Sequence, residues 1–147
     1  MSRRFIDVIA GLLRPAPRFP DGDHRVAAAA LLVHAIGVDG DVTRRERDRL
    51  AGLVEARFAV APRLARDIIA AGAARAKESV DLTDFTHPLK RVLEPSGLVG
   101  VVDMLWDVVL VDGRVRELEE SFVWRVAELL GVPSSEIVAL RRRREDA

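Results

Sequence analysis

A chain of 147 residues, 49% hydrophobic and without a long uninterrupted apolar run, reads as one soluble globular domain with a sizeable core. Its 23 basic and 23 acidic residues cancel, which removes any global electrostatic pull towards nucleic acid or anionic lipid. No cysteine is present, so disulfides, thiolate nucleophiles and thiolate-bound zinc are excluded, and residence in the cytoplasm is expected.

Phe5, Ile6, Val8, Ile9, Leu12 and Leu13 recur at helical spacing, so Met1 to Leu13 is expected to form a short amphipathic helix. Asp7 interrupts its apolar run and no small-residue cleavage pattern precedes Arg14-Pro15, which argues against a secretory signal. Arg14-Pro-Ala-Pro-Arg-Phe-Pro20 follows as a stiff linker, and residues 21–147 are assigned to the domain proper. The first domain helix should begin after Asp21 or Asp23 and reach about Val38. From Val26 to Val38 its only polar side chain is His34, the mark of a central helix. Gly40 is placed to end it, and Thr43-Arg44-Arg45-Glu46 has the pattern of a capping box opening a second helix with Leu50, Leu53, Val54 and Phe58 inside.

Pro62 suits the first turn of an alanine-rich third helix running to about Ser79, whose small side chains permit close helix approach. A shorter, irregular helix is expected over Asp81 to Leu93, with Pro88 interrupting its hydrogen-bond ladder. A fifth helix starts near Pro95. Between Leu98 and Val111 its only acidic groups are Asp103 and Asp107. Arg116-Glu-Leu-Glu119 then keeps half a capping box, since arginine offers no accepting oxygen. A sixth helix carrying Phe122, Val123, Val126, Leu129 and Leu130 ends at Gly131, and Pro133-Ser134-Ser135-Glu136 opens a last one.

Val38-Asp39-Gly40-Asp41-Val42 with Glu46 returns as Val111-Asp112-Gly113-Arg114-Val115 with Glu119, at a constant offset of 73 residues. The same offset sets His34 against Asp107, Leu32 against Leu105, Ile36 against Val109, Leu50 against Val123 and Leu53 against Val126. Residues 24–60 and 97–132 therefore read as two copies of one helical module, expected to pack about a pseudo-two-fold axis. No stretch alternates with period two, so the fold class is all-α, about seven helices in one compact domain.

Read together, Leu31-Leu32-Val33-His34, Asp39-Gly40 with Glu46, Met104-Leu105-Trp106-Asp107, Asp112-Gly113 with Glu119, and Trp124-Arg125-Val126-Ala127-Glu128-Leu129-Leu130-Gly131-Val132 resemble the tellurite-resistance TerB family, over about Asp23 to Arg141. The resemblance implies a compact helical fold with an internal pseudo-two-fold, acidic residues that hold a divalent metal, and no established reaction. The matching positions are Asp39, Gly40 and Glu46 in the first half, Asp112, Gly113 and Glu119 in the second, with His34 and Asp107 on the preceding helices. Arg114 departs from that pattern and sets a cation beside the second turn, and Pro88 departs from it in the middle segment.

His34 and Asp107 are isolated polar groups on apolar helices, and desolvating an unpaired charge costs several kcal/mol. One reading has them bonded to each other or to nearby backbone. The other makes them ligands, with Asp39, Glu46, Asp112 and Glu119, for zinc, manganese, magnesium or calcium. Asp-Gly turns and a capping glutamate also have purely local explanations. No nucleophile motif, phosphate loop or His-Glu-x-x-His is present, so catalysis is not expected. The leading expectation is a non-enzymatic module that binds a protein partner, with divalent metal, in tellurite or metal-stress response. A peripheral membrane adaptor acting through residues 1–13 and a metal-dependent hydrolase are the alternatives, and a homodimer fits the exposed apolar stripe of that first segment. Nucleic acid is not an expected partner. Arg141 to Arg144 lacks interleaved aromatics and reads as a solvated helix end.

Overall fold

The computed structural model describes residues 18–37, 43–110 and 117–145. These form seven helices: α1 (His24–Ile36), α2 (Arg44–Phe58), α3 (Pro62–Glu78), α4 (Thr83–Val92), α5 (Pro95–Val109), α6 (Glu117–Leu130) and α7 (Ser134–Glu145). No strand occurs among the described residues. The expected opening helix over Met1 to Leu13 lies outside them, as do Asp39, Gly40, Asp112 and Gly113.

The ends of these helices follow from identifiable residues. Asp23 caps α1: its carboxylate accepts the Arg25 and Val26 N–H groups at 2.9 and 3.4 Å. Asp21, the other candidate, instead pairs with Arg75 of α3 at 3.2 Å. α1 ends earlier than expected, at Ile36, because Gly37 adopts φ 140°, a conformation that glycine reaches without strain. The capping box at α2 is complete, with Thr43 Oγ1 accepting the Glu46 N–H at 3.2 Å and Glu46 Oε1 accepting the Thr43 N–H at 3.1 Å. Pro62 and Pro95 occupy the first turns of α3 and α5. Pro88 sits inside α4, which continues to Val92. At the end of α6, Gly131 takes φ 75°, and Val132 N–H bonds the Ala127 carbonyl at 2.9 Å, a Schellman closure.

α1 is the centre of the fold. It lies against α3, α4 and α5, while α5 also packs against α6 and α7. Val26 to Val33 are all buried, and with Leu50, Val54, Ile68, Ile69, Phe85, Leu89, Val101, Leu105, Trp106, Val126 and Leu130 they make one continuous core. Leu53 and Ile36, expected in the core, are partly buried against it. Small residues let α1 and α3 approach closely. A Cβ built on Gly72 would stand 2.5 Å from the Ala29 Cβ and 2.8 Å from the backbone of Ala29 and Ala30.

The 73-residue register reaches into the helix ends. Ile36 and Val109 close α1 and α5, and Arg44 and Glu117 open α2 and α6, each pair separated by that same offset. α3 and α7 occupy corresponding places in the order, leaving α4 as the connector between two three-helix runs.

Candidate functional site

Asp107 lies on α5 one turn after Asp103, so the two carboxylates share a helix face and repel each other. Three arginines from two other helices resolve that repulsion. Arg49 of α2 donates from Nη2 to Asp107 Oδ1 at 3.0 Å and to the Asp107 carbonyl at 2.7 Å. Arg144 of α7 bridges the pair, Nε to Asp103 Oδ1 at 2.9 Å and Nη1 to Asp107 Oδ2 at 2.7 Å. Arg57 of α2 reaches Asp103 Oδ2 at 3.8 Å, and it has room because Gly100 has no side chain: a Cβ there would lie 2.5 Å from Arg57 Nη1. Burial alone would lower the Arg144 pKa, but Asp103 and Asp107 outweigh it and raise it. The cluster bolts α2, from the first half of the chain, and α7, from the second, onto α5. Next to it Arg141 pairs with Glu120 and Glu145 and stacks over Trp106, 5.5 Å from the ring centroid.

His34 is set differently. Its ring lies 5.6 Å from Phe85 of α4 and 6.3 Å from Phe122 of α6, and its Nε2 is buried without a hydrogen-bond partner among the described residues. Desolvation pushes its pKa below that of an ordinary histidine, against a smaller upward pull from the Ser79 backbone. His34 and Asp107 thus do not satisfy each other; one has aromatic neighbours and the other arginines. The two settings nonetheless correspond in sequence. Exchanging residues by the 73-residue offset turns His34 beside Phe122 into Asp107 beside Arg49.

A lowered histidine pKa means that the unfolded chain binds protons which the folded chain resists, so the His34 contribution is present above the ordinary pKa of 6.5 and lost as pH falls through the folded value. His24 is shifted in the same direction, by desolvation first. Thermal melts between pH 7.5 and 5 should therefore show stability falling with acid, and His34→Phe should remove part of that slope. An unchanged slope in His34→Phe would assign the acid sensitivity elsewhere.

The ligand set read from the sequence can now be placed residue by residue. Both Asp107 oxygens are taken by guanidinium groups, Glu46 Oε1 is taken by the cap, and His34 faces aromatic rings. Glu119 sits in the first turn of α6, half-buried. Among the described residues no three histidine or carboxylate groups gather in a way that could hold a metal ion. His34 and Asp107 are thus not brought together, and Asp39 and Asp112 lie outside the described residues.

Sequence reasoning missed a second feature altogether. α2 and α3 lean together around an open hollow of about 540 Å³ lined by Arg44, Arg47, Asp48, Arg66, Ile69 and Ala70. Arg44, Arg47 and Asp48 recur at i, i+3 and i+4 on α2, and Arg66, Ile69 and Ala70 do so on α3, so one face of each helix is turned to the other. The three arginines are exposed and the floor residue Ile69 is buried. The i, i+3, i+4 spacing within each helix was readable, but not that the two triplets meet.

The family model described as tellurite resistance protein TerB matches residues 25–142 of the 147. The chain belongs to the TerB family. The match spans α1 to most of α7, so it takes in Asp103, Asp107, Arg49 and Arg57 of the cluster on α5, while the bridging Arg144 lies two residues beyond it. No curated protein and no solved structure matches the chain. In this TerB domain no helix of the described residues is long and apolar enough to cross a membrane.

Proposed function

We propose that this TerB-family chain is a non-enzymatic interaction module that docks a protein partner in the hollow between α2 and α3, and that it serves in tellurite or metal-stress response. What carries the reading is cationic charge that makes no ion pair among the described residues and is gathered at one concavity. Arg25, Arg49, Arg57, Arg75, Arg141 and Arg144 are committed to intramolecular ion pairs, whereas Arg44, Arg47 and Arg66 stand exposed around an open concavity. Arginine at a concave surface is well suited to recognition, since its rigid fork bonds planar anions in pairs. The family description supports the tellurite link. The test is an Arg44→Ala/Arg66→Ala double variant, expressed in place of the wild type and challenged with tellurite. It should keep the wild-type melting curve and lose both tolerance and the cross-linked partner. Full tolerance with the fold intact would remove the docking surface from the α2–α3 face.

A second reading is weak divalent-metal binding at the two acidic segments, supported by the sequence register: Asp39 and Asp112 each follow the last residue of α1 and α5 by the same number of positions. Asp39 and Glu46 should then matter most, because Arg114 opposes a cation at the second turn. Titration calorimetry with zinc, manganese and calcium should give heat that Asp39→Ala abolishes while helicity persists. Binding no tighter than millimolar would leave these residues as turn formers and caps.

A further inference from the structure

We infer that the segment docked between α2 and α3 is acidic: its carboxylates bind Arg44, Arg47 and Arg66, and an apolar side chain rests on Ile69 and Ala70. The inference rests on the docking reading above and adds the chemistry of the partner. Three guanidinium groups against the single carboxylate of Asp48 leave the lining with a clear excess of positive charge, in a chain whose charges cancel overall. The excess is not a by-product of the duplicated architecture. At the 73-residue offset, Arg44 and Arg47 correspond to Glu117 and Glu120, so the same place on the equivalent helix carries the opposite charge. The fold accepts either sign there, and only the first half sets arginine at the mouth of this hollow.

Size and shape favour a peptide over a lone ion. A space of about 540 Å³ falls in the range that pockets offer to whole organic ligands, and one phosphate or carboxylate would leave most of it empty. The guanidinium groups lie on both walls, Arg44 and Arg47 on α2 and Arg66 on α3, with the apolar Ile69 and Ala70 below. That arrangement suits a strand or turn that presents carboxylates to both sides and one apolar group downwards. Asp48 breaks the run of positive charge and offers an acceptor to a backbone N–H of the bound segment, which a bare polyanion lacks.

The test is fluorescence anisotropy on the full chain. The probes are a labelled ten-residue peptide of alternating aspartate and glutamate with one central leucine, its asparagine and glutamine counterpart, and inorganic phosphate as competitor. The acidic peptide should bind, and its affinity should fall about tenfold in Arg44→Ala/Arg66→Ala, as loss of two exposed charge pairs implies. It should weaken as salt rises from about 0.01 to about 0.15 M, where the screening length shrinks from about 30 to about 8 Å. Arg125→Ala, an exposed arginine on α6, should leave it unchanged.

Equal loss in Arg125→Ala would mean unspecific charge attraction and overturn the inference. So would displacement of the peptide by equimolar phosphate, which would make the hollow a site for a small oxyanion. A wild-type dimer that the double variant converts to monomer would make the occupant a second copy and likewise overturn it. If the neutral peptide binds as well as the acidic one and the double variant still abolishes binding, the acidic inference fails and the docking reading stands. If no peptide binds, the acidic inference fails, and the tellurite tolerance of the double variant decides the docking reading separately.

Discussion

Gly72→Ala should destabilise the protein by about 1–3 kcal/mol, the reverse of what the same change does at an open helix position. Alanine normally stabilises a helix interior relative to glycine by about 1 kcal/mol, because glycine loses more backbone freedom on folding. At Gly72 that gain is overwhelmed. The added methyl would meet the Ala29 Cβ at 2.5 Å and the Ala29 and Ala30 backbone at 2.8 Å, and backbone in the central helix cannot rotate out of the way as a flexible side chain can. α1 and α3 must separate, and every buried contact between them loosens. Gly52 supplies the internal control: it lies exposed in α2, and a Cβ there meets nothing within 4 Å. Gly52→Ala should therefore stabilise by about 0.5–1 kcal/mol. Urea unfolding of the two variants should move in opposite directions. Parallel shifts would show that helix propensity, and not the α1–α3 approach, governs both positions.

Trp106→Ala should have the larger effect, about 3–5 kcal/mol, which is a substantial share of the 5–15 kcal/mol by which small domains are usually stable. The side chain is completely buried on α5 and forms the surface on which Arg141 stacks. Truncation leaves a cavity and also removes the platform beneath the Arg141 pairs with Glu120 and Glu145. Trp106→Phe should cost less than half as much. It keeps an aromatic face and deletes an indole Nε1 that is buried without a partner among the described residues, a group whose desolvation penalty is about 1–3 kcal/mol. Denaturant titration followed by circular dichroism separates the cases. Equal losses for alanine and phenylalanine would mean that the indole nitrogen is satisfied after all.

The helices were legible in the chain because their ends are written in local chemistry. Asp23, Thr43 with Glu46, Pro62, Pro95 and Gly131 each act within a few residues of themselves, and each marks a boundary of α1, α2, α3, α5 or α6. Gly37 carries the same kind of signal, but the Asp39-Gly40 pair two residues on matched a familiar turn pattern and drew the expected helix end past it. Contacts of long range were another matter. Arg49 meets Asp107 across 58 residues and Arg144 meets Asp103 across 41, and nothing in the pattern of either helix distinguishes these arginines from solvated ones. His34 and Asp107 stand out in the sequence because two apolar helices each keep a polar group at the equivalent position. That symmetry is present, but it resolves into an aromatic setting for His34 and an arginine setting for Asp107, since position 122 is phenylalanine where position 49 is arginine.

The bridge made by Arg144 also joins parts of the chain that are made far apart in time. The described helices leave the ribosome from α1 to α7, so α5 appears with Asp103 and Asp107 adjacent and α2 already available, while the guanidinium that spans both carboxylates arrives only with α7. Without it Arg49 and Arg57 would reach one carboxylate each, and the like charges one turn apart would be bridged by nothing on α2. Closure of the cluster thus needs α7 as well as α2, so one guanidinium ties the two runs of helices together through α5.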